Sequence, residues 1–424
     1  MTEWTQAQEQ RLQALIDGAQ MDCARRFMEL ERIEDGNFAR VLSAMQEYRV
    51  GVQHFQATTG YGYDDIGRDT LEKVFASAFG AQDALVRPQF VSGTHSLAVC
   101  LFGLLRPGDH LLSAVGMPYD TMDEVIGITK AYDGSLREMG VSYSQVELTP
   151  EGEIDLDAVL DAITEKTRVV MIQRSRGYAW RPALTVSQIG VAAKAIHEKK
   201  PDAIVMVDNC YGEFVSTQEP THVGADVIVG SLIKNAGGGL APTGGYIAGR
   251  HDLVERISYR LTSPGIGREV GSYAYGYQPF YQGFFLAPHV VCQAVKTAVL
   301  AAAVFARLGF TVHPGVDDER SDIIQALRLE TPDRLVAFCE GIQMASPIDS
   351  FALPEPWAMP GYQDQVIMAA GTFVSGASIE LSADAPMRAP FNVYMQGGLT
   401  LSHGRAGIAQ AVRRMAEKGL LELA

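Results

Sequence analysis

Cysteine is scarce in this 424-residue chain, with five in all, at positions 23, 100, 210, 292 and 339. None forms a C-x-x-C pair and none lies near a histidine pair. That excludes a zinc ribbon and argues against a disulfide framework, and no metal site is expected. Basic residues are also in short supply, 35 against 50 acidic ones, for a net charge of −15. With no Lys/Arg cluster, neither nucleic acid nor an anionic membrane is expected as the main partner. Long hydrophobic runs are lacking as well. The longest, residues 298–306, is about half of a bilayer span. The opening Met-Thr-Glu-Trp-Thr-Gln has neither a basic nor an apolar signal region, so a cytoplasmic, reduced protein is expected.

Several chemistries are missing at the level of motifs. There is no G-x-x-x-x-G-K-[ST], so a P-loop has no support. Gly265-Ile-Gly267-Arg-Glu-Val-Gly271 is off by one from the dinucleotide fingerprint and does not follow a buried strand. Neither G-x-S-x-G nor H-E-x-x-H occurs. The nine histidines are scattered, and only His95 adjoins a loop of functional character.

What is present is a large core: 47% hydrophobic and 20% charged residues, without repeats or low-complexity tracts. Apolar residues at three- and four-residue steps predict helices over 7–18 and 21–33. A glycine- and aromatic-rich stretch, 58–68, precedes a helix over 69–79. Short runs at 84–91, 110–115, 168–173, 203–207 and 226–230 then alternate with helical patterns such as 185–198. Unalternating Val/Ile-rich runs of this kind read as strands buried on both faces, in a mostly parallel, doubly wound α/β sheet. A later apolar helix, about 288–308, links this part to a smaller α+β domain built from 322–328, 332–343, 366–369, 378–381 and 404–418.

Four features fall at carboxyl ends of the expected strands, where such sheets bind ligands. Ser92-Gly93-Thr94-His95 opens a helix, offering backbone N–H groups to a phosphate, or serving simply as an N-cap. Asp208 ends the run from Ile204, and its buried charge calls for a cation or donors, such as a protonated ring nitrogen, unless it caps the next turn. Lys234, in Ser231-Leu-Ile-Lys234-Asn, sits between an apolar strand and three glycines. Partial desolvation there is expected to lower its pKa and free a nucleophilic amine. Tyr119, after 110–115, can lie flat over a planar ligand or act as a turn aromatic. Together they supply a phosphate cradle, an aromatic lid, an aspartate for a ring nitrogen and a lysine for an aldehyde, the parts of a pyridoxal 5'-phosphate (PLP) site.

At this point the chain resembles fold-type-I PLP enzymes of the cystathionine and methionine metabolism group, and more narrowly the methionine gamma-lyase-like family, also known as aluminium-resistance proteins. The matching blocks are Gly60-Tyr-Gly-Tyr-Asp-Asp-Ile-Gly-Arg68, Val91-Ser-Gly-Thr-His95, Ile172-Gln-Arg-Ser-Arg-Gly-Tyr178, Val207-Asp-Asn-Cys-Tyr-Gly-Glu213, Ser231-Leu-Ile-Lys-Asn235 with Gly237-Gly-Gly, Tyr281-Gln-Gly-Phe-Phe-Leu-Ala-Pro288 and Gln396-Gly-Gly-Leu399. Ala236 departs from the family, where a proline is expected. The resemblance implies a fold-type-I transferase-like α/β fold with a seven-stranded-type sheet. It divides the chain into an N-terminal helical arm (1–50), a large PLP-binding domain (51–287) and a linking helix with a small C-terminal domain (288–424).

It also implies roles. Lys234 holds the cofactor and shuttles protons, Asp208 keeps the pyridinium protonated, and Tyr119 stacks on the ring. Ser92, Gly93, Thr94 and Ser231 bind the phosphate, joined by Tyr63 and Arg68 from a neighbouring subunit. Shared sites of that kind imply a homodimer or homotetramer. For the substrate α-carboxylate, Arg388 in the small domain competes with Arg174 and Arg176, and a guanidinium fork suits that duty. The expected activity is β- or γ-elimination on an amino acid, giving a 2-oxo acid, ammonia and a thiol. Rival readings are an aminotransferase or other PLP enzyme on an uncharacterised amino acid, or a sugar- or amino-acid-sensing protein that has lost catalysis, which the complete Lys234/Asp208 pair disfavours. The sequence leaves the amino acid unnamed.

Overall fold

Residues 4–359 and 364–423 are described by a computed structural model of the chain, so Met1–Glu3 of the opening segment read above lie outside it. The amphipathic opening forms two helices longer than their periodicity suggests, α1 (Gln6–Asp22) and α2 (Ala24–Glu47). α1 starts where it does because the Thr5 side chain accepts from the Gln8 N–H while Gln8 reaches back to the Thr5 backbone. The buried faces of the pair, Leu12, Ile16 and Ala19 with Leu30, Val41 and Ala44, join the main core.

The large sheet has seven strands: β1 (Asp83–Arg87), β2 (His110–Ser113), β3 (Ser142–Gln145), β4 (Thr167–Gln173), β5 (Ile204–Asp208), β6 (Val227–Ser231) and β7 (Gly245–Gly249). Their order is β1-β7-β6-β5-β4-β2-β3, and all run the same way except β7, which is antiparallel to both neighbours. The first expected strand stops at Arg87 rather than residue 91, because Pro88 has no N–H for the ladder, and Val91 is exposed. Helices α3 (Ile66–Ala78), α4 (Gly93–Leu104), α5 (Met122–Ile126), α6 (Leu156–Ala162), α7 (Val186–Lys199) and α8 (His251–Leu261) surround this sheet. The five parallel strands β2–β6 therefore deliver their carboxyl ends to one edge, where Gln173, Asp208 and Ser231 stand.

The second sheet is wholly antiparallel, in the order β10-β11-β12-β9-β8. Its strands are β8 (Thr311–His313), β9 (Gln325–Arg328), β10 (Val366–Ala369), β11 (Ser382–Pro386) and β12 (Asn392–Gln396), with α10 (Pro332–Met344) and α11 (Leu401–Glu417) packed together beside it. The expected strand over 378–381 is instead a bend whose Ile379 carbonyl accepts from Gly398 N–H, and the strand begins at Ser382. Likewise the strand expected from residue 322 begins at Gln325, because the Asp322 carboxylate takes the Ile324 N–H.

Between the sheets runs α9 (Gln278–Arg307), which starts ten residues before the expected 288 and carries Pro288 inside it. A boundary drawn between 287 and 288 thus cuts a continuous helix. By length and composition α9 could cross a membrane, yet most of it is buried among the other elements of the chain.

The glycine triplet after Lys234 meets α9 at backbone distance. A Cβ on Gly238 would lie 2.1 Å from the Gly283 carbonyl oxygen, and one on Gly283 would lie 2.2 Å from that of Gly237. Gly238 also has φ +55°, so a side chain is excluded twice over. The glycines therefore pin the lysine loop to the central helix. Gly283→Ala is expected to destabilise the fold by at least about 1–3 kcal/mol, the usual cost of overpacking. A thermal-unfolding midpoint equal to wild type would contradict this contact.

Candidate active site

Lys234 follows β6 by three residues and precedes a single 3-10 turn, Asn235–Gly237. Its Nζ lies 4.2 Å from the centre of the Tyr211 ring, a cation–π contact inside the protein. Tyr211 reaches this position from a backbone with φ 70°, in the tight turn after β5. Asp208 ends β5, is buried, and its Oδ1 accepts from Cys210 N–H at 3.1 Å.

The first residue of α4 closes the group. A Cβ on Gly93 would stand 3.5 Å from Ser231 Cβ, 3.7 Å from Cys210 Sγ and 3.8 Å from Lys234 Nζ. The helix start, the lysine and the serine thus share one small space. Ser231 Oγ is buried there without a hydrogen-bond partner among the described residues. Ser92 caps α4 by accepting from His95 N–H at 3.0 Å. It satisfies one of the four N–H groups that a helix start leaves over, so capping and anion binding coexist at this turn. An orphan hydroxyl, a helix N-terminus and a lysine in one cradle fit a phosphorylated aldehyde.

Tyr119 lies half-buried in the loop after β2, its N–H donating to Gln173 Oε1 at 2.7 Å. Thr94 and Thr121 hydroxyls are 2.7 Å apart, which ties this loop to the start of α4. Beyond Tyr119 is Tyr178, at 6.0 Å between ring centres, and then Tyr394 of the small sheet at 5.4 Å. His95 takes no part in this group through its ring, which accepts from Val91 N–H and so shapes the loop.

The electrostatics correct one expectation. Burial alone pushes the Lys234 pKa down, but the acidic groups of Cys210, Tyr211, Asp208 and Glu213 outweigh it and hold the pKa above its usual value. These groups favour the protonated amine over the free nucleophile. Asp208 is pushed up by burial and pulled back by Lys234 and the Cys210 contacts. Glu213, fully buried, is raised to about 8 by burial, against the hydrogen bond it accepts from the Tyr246 hydroxyl at 2.8 Å. Its carbonyl accepts from Asn235 Nδ2, so Glu213 also steadies the residue next to the lysine. Tyr211, Glu213 and Tyr178 were missed as neighbours of this group. The polar run Asn209–Glu213 directly after a buried strand was the one signal available for the first two.

The arginines lie elsewhere. Arg174 is buried and donates to Asn209 Oδ1 at 2.8 Å, to Glu219 Oε2 at 3.4 Å and to Ser216. Arg176 is buried between the two sheets, donating to the His313 carbonyl at 2.8 Å and pairing with Asp322. Both are committed inside the protein, because a buried guanidinium needs local partners. Arg388 is half exposed and pairs with Asp364 at 3.1 Å, on the rim of a cavity of about 180 Å³ that Tyr178 also lines. Tyr63 is 60% exposed, whereas Arg68 turns inward to the Gly62 carbonyl at 2.7 Å and Asp69 at 2.8 Å, so it shapes its own loop. No group of three metal-ligating side chains occurs among the described residues.

Comparison with known proteins agrees with this geometry. A model of the family described as methionine gamma-lyase matches residues 12–416. An uncharacterized Bacillus subtilis protein, YnbB, is 52% identical over 394 residues, which is 93% of this chain and 94% of that protein. A solved Clostridium novyi structure, described as a carbon–sulfur lyase involved in aluminium resistance, is 48% identical. It covers 97% of this chain and 100% of its own, with a TM-score of 0.93. Yeast cystathionine gamma-lyase, at 20% identity and TM-score 0.55, shares the fold over 82% of this chain and 86% of its own. Sequence and fold together place this chain in the methionine gamma-lyase family, on a fold-type-I α/β scaffold.

Proposed function

We propose that this protein is a PLP-dependent carbon–sulfur lyase, which takes an amino acid bearing a β- or γ-sulfur and water to a 2-oxo acid, ammonia and a thiol. The observation that carries this reading is the shared space around Gly93, where Lys234 Nζ, Ser231 and the start of α4 meet in front of Asp208. The relatives add support, since the Clostridium novyi neighbour is itself described as a carbon–sulfur lyase. An aminotransferase finds no support among the relatives.

When bound, the cofactor supplies an electron sink for carbanion charge at the substrate α-carbon. The chain supplies the rest. Lys234 Nζ anchors the aldehyde and carries the α-proton away, because it is the one amine in the cradle. Asp208 keeps a proton on the ring nitrogen, and burial strengthens that pairing by excluding water. Gly93, Thr94, Ser92 and Ser231 hold the phosphate through the helix start and the orphan hydroxyl. Tyr119 stacks on the ring.

In the same reading the protein is cytoplasmic and works as a homodimer or homotetramer. Tyr63, exposed beside Tyr61, completes the phosphate site of a neighbouring copy, and Arg68 braces that loop. The helical arm (1–50), the cofactor domain (51–287) and the small domain (288–424) remain the functional division, with α9 as a rigid shaft across the last boundary. Of the three candidate arginines, Arg388 is assigned the substrate α-carboxylate because it lines the cavity beside Tyr178.

Two outcomes test the assignment. Purified wild type with PLP should be yellow, and borohydride should fix the chromophore covalently at Lys234. Lys234→Ala should show no such fixation and should lose turnover by about 10²–10⁴-fold, the range for a displaced proton-transfer group. Unfixed chromophore in wild type would sink the reading. Asp208→Asn should still bind the cofactor but turn over at least a hundredfold more slowly, as expected when a buried pair loses one charge at about 3–5 kcal/mol. Wild-type turnover in that variant, followed by keto-acid release, would remove Asp208 from the mechanism.

A further inference from the structure

The end of α4 away from the cofactor cradle opens onto a cavity of about 580 Å³, within the range of small-molecule sites. The cavity lies among the carboxyl ends of α4 and α8 and the segment leading into β3. The two helices touch at backbone distance there, since a Cβ on Gly103 would stand 2.8 Å from Ile257 Cα. The 12 residues of α4 put about 18 Å of helix between this cavity and Gly93. It is therefore separate from the catalytic centre.

Its lining is of two kinds. Phe102, Leu136 and Val141 make it apolar, and Arg106, Arg256 and Arg260 make it positive. Each guanidinium is aimed by the last carbonyls of α4. Arg106 Nη1 donates to Leu105 at 2.7 Å and Gly103 at 2.9 Å, Arg256 Nη2 to Leu104 at 3.0 Å and Arg260 Nε to Phe102 at 3.3 Å. Nε and Nη2 of Arg106, Nε and Nη1 of Arg256 and both Nη atoms of Arg260 are left without a partner among the described residues.

None of the three forms an ion pair among the described residues, in a chain with 50 acidic side chains against 35 basic ones. Nearby acids are engaged elsewhere. Asp109 accepts the Arg106 backbone N–H at 2.7 Å, and Asp252 pairs with Arg250 at 2.8 Å. Burial, with the like charges of Arg106 and Arg168, holds the Arg256 pKa below its usual value. Two helix ends offer about half a negative charge each, and Asp109 one more. Three guanidiniums still leave a surplus of about one positive charge.

We propose that this cavity binds a small amphipathic anion, one with an apolar body and an oxyanion head. Arg256 and Arg260 take the head through their free nitrogens, a duty that the planar guanidinium fork suits. The body lies against Phe102, Leu136 and Val141. A free molecule fits better than a membrane lipid, because a net charge of −15 repels an anionic bilayer.

The test is titration calorimetry of the PLP-loaded full-length protein with octyl phosphate, against inorganic phosphate and octylammonium. Octyl phosphate should bind at least about tenfold more tightly than either, since burying two methylenes is already worth that much. Arg256→Gln and Arg260→Gln should each weaken it by at least about tenfold, the value of a hydrogen bond to a charged group. Chromophore and turnover should be unchanged in both. Arg260 is exposed, so its variant decides the matter if Arg256→Gln fails to fold. Lack of uptake at millimolar octyl phosphate overturns the proposal. So does uptake that survives in Arg260→Gln or that displaces the chromophore, which assigns the anion to the cofactor cradle. A variant that alters the sedimenting assembly but not octyl phosphate uptake also overturns it, and makes this face a contact between copies.

Discussion

A buried ammonium must be met by negative charge, and the centre of this protein is arranged around that requirement. Lys234 is enclosed by Asp208, Glu213, Cys210 and the face of Tyr211; burial favours the neutral forms of Glu213 and Cys210, which leaves Asp208 and the Tyr211 ring face to meet its charge. None of them can be moved independently. Asp208 and Tyr211 come from one strand end and its turn, Glu213 is held by Tyr246 from β7, and the lysine loop is clamped to α9 by Gly238 and Gly283. The backbone approach at that clamp is too close for any side chain. Charge pairing at the site and steric fit at the helix are therefore two ends of one constraint, and the cradle at Gly93 exists because both hold.

The other buried cations follow the same rule, which explains why the expected arginines do not gather at the site. Arg174 satisfies Glu219 and Asn209 beneath β5, and Arg176 bridges to the Asp322 and His313 side of the small sheet. Arg87 and Arg268 share Glu72 in the same manner. Each guanidinium finds partners where it is buried, although Arg174 Nε and Arg176 Nε and Nη2 have no hydrogen-bond partner among the described residues. The cavity beside Tyr178 is lined by Asp120 and Asp364, with Arg388 as the one arginine among its described lining residues.

The parts of the site that were legible in the sequence are those made by consecutive residues. Asp208 and Lys234 were visible because buried Val/Ile strands lead straight into them, and Ser92–His95 because a small hydroxylic turn opens a helix. β3 was hidden, being a polar edge strand, Ser142–Gln145, and so was β7, whose Gly-Tyr-Ile-Ala-Gly gives little β signal. The start of α9 was masked by Pro288 and Gly283, residues that read as helix breakers but serve packing here. The lysine pKa went the wrong way for a related reason. Desolvation can be read from neighbours in sequence, whereas the compensating acids arrive through the fold. Tyr178, Tyr394, Asp384 and Gln396 form one contact group from separate sheets, with the Tyr394 hydroxyl bonding the Tyr178 carbonyl across 216 residues. No local pattern announces such a meeting.

That separation of origins has a mechanistic consequence. The large sheet contributes Lys234, Asp208 and the turn that opens α4 at Gly93. The small sheet contributes Tyr394, whose hydroxyl donates to the Tyr178 carbonyl. Between them α9 fixes the distance, since one continuous helix is buried against both parts. A substitution at the Gly238–Gly283 contact must disturb the lysine whatever the substrate. The two sheets are joined by a helix too tightly packed to let one drift relative to the other.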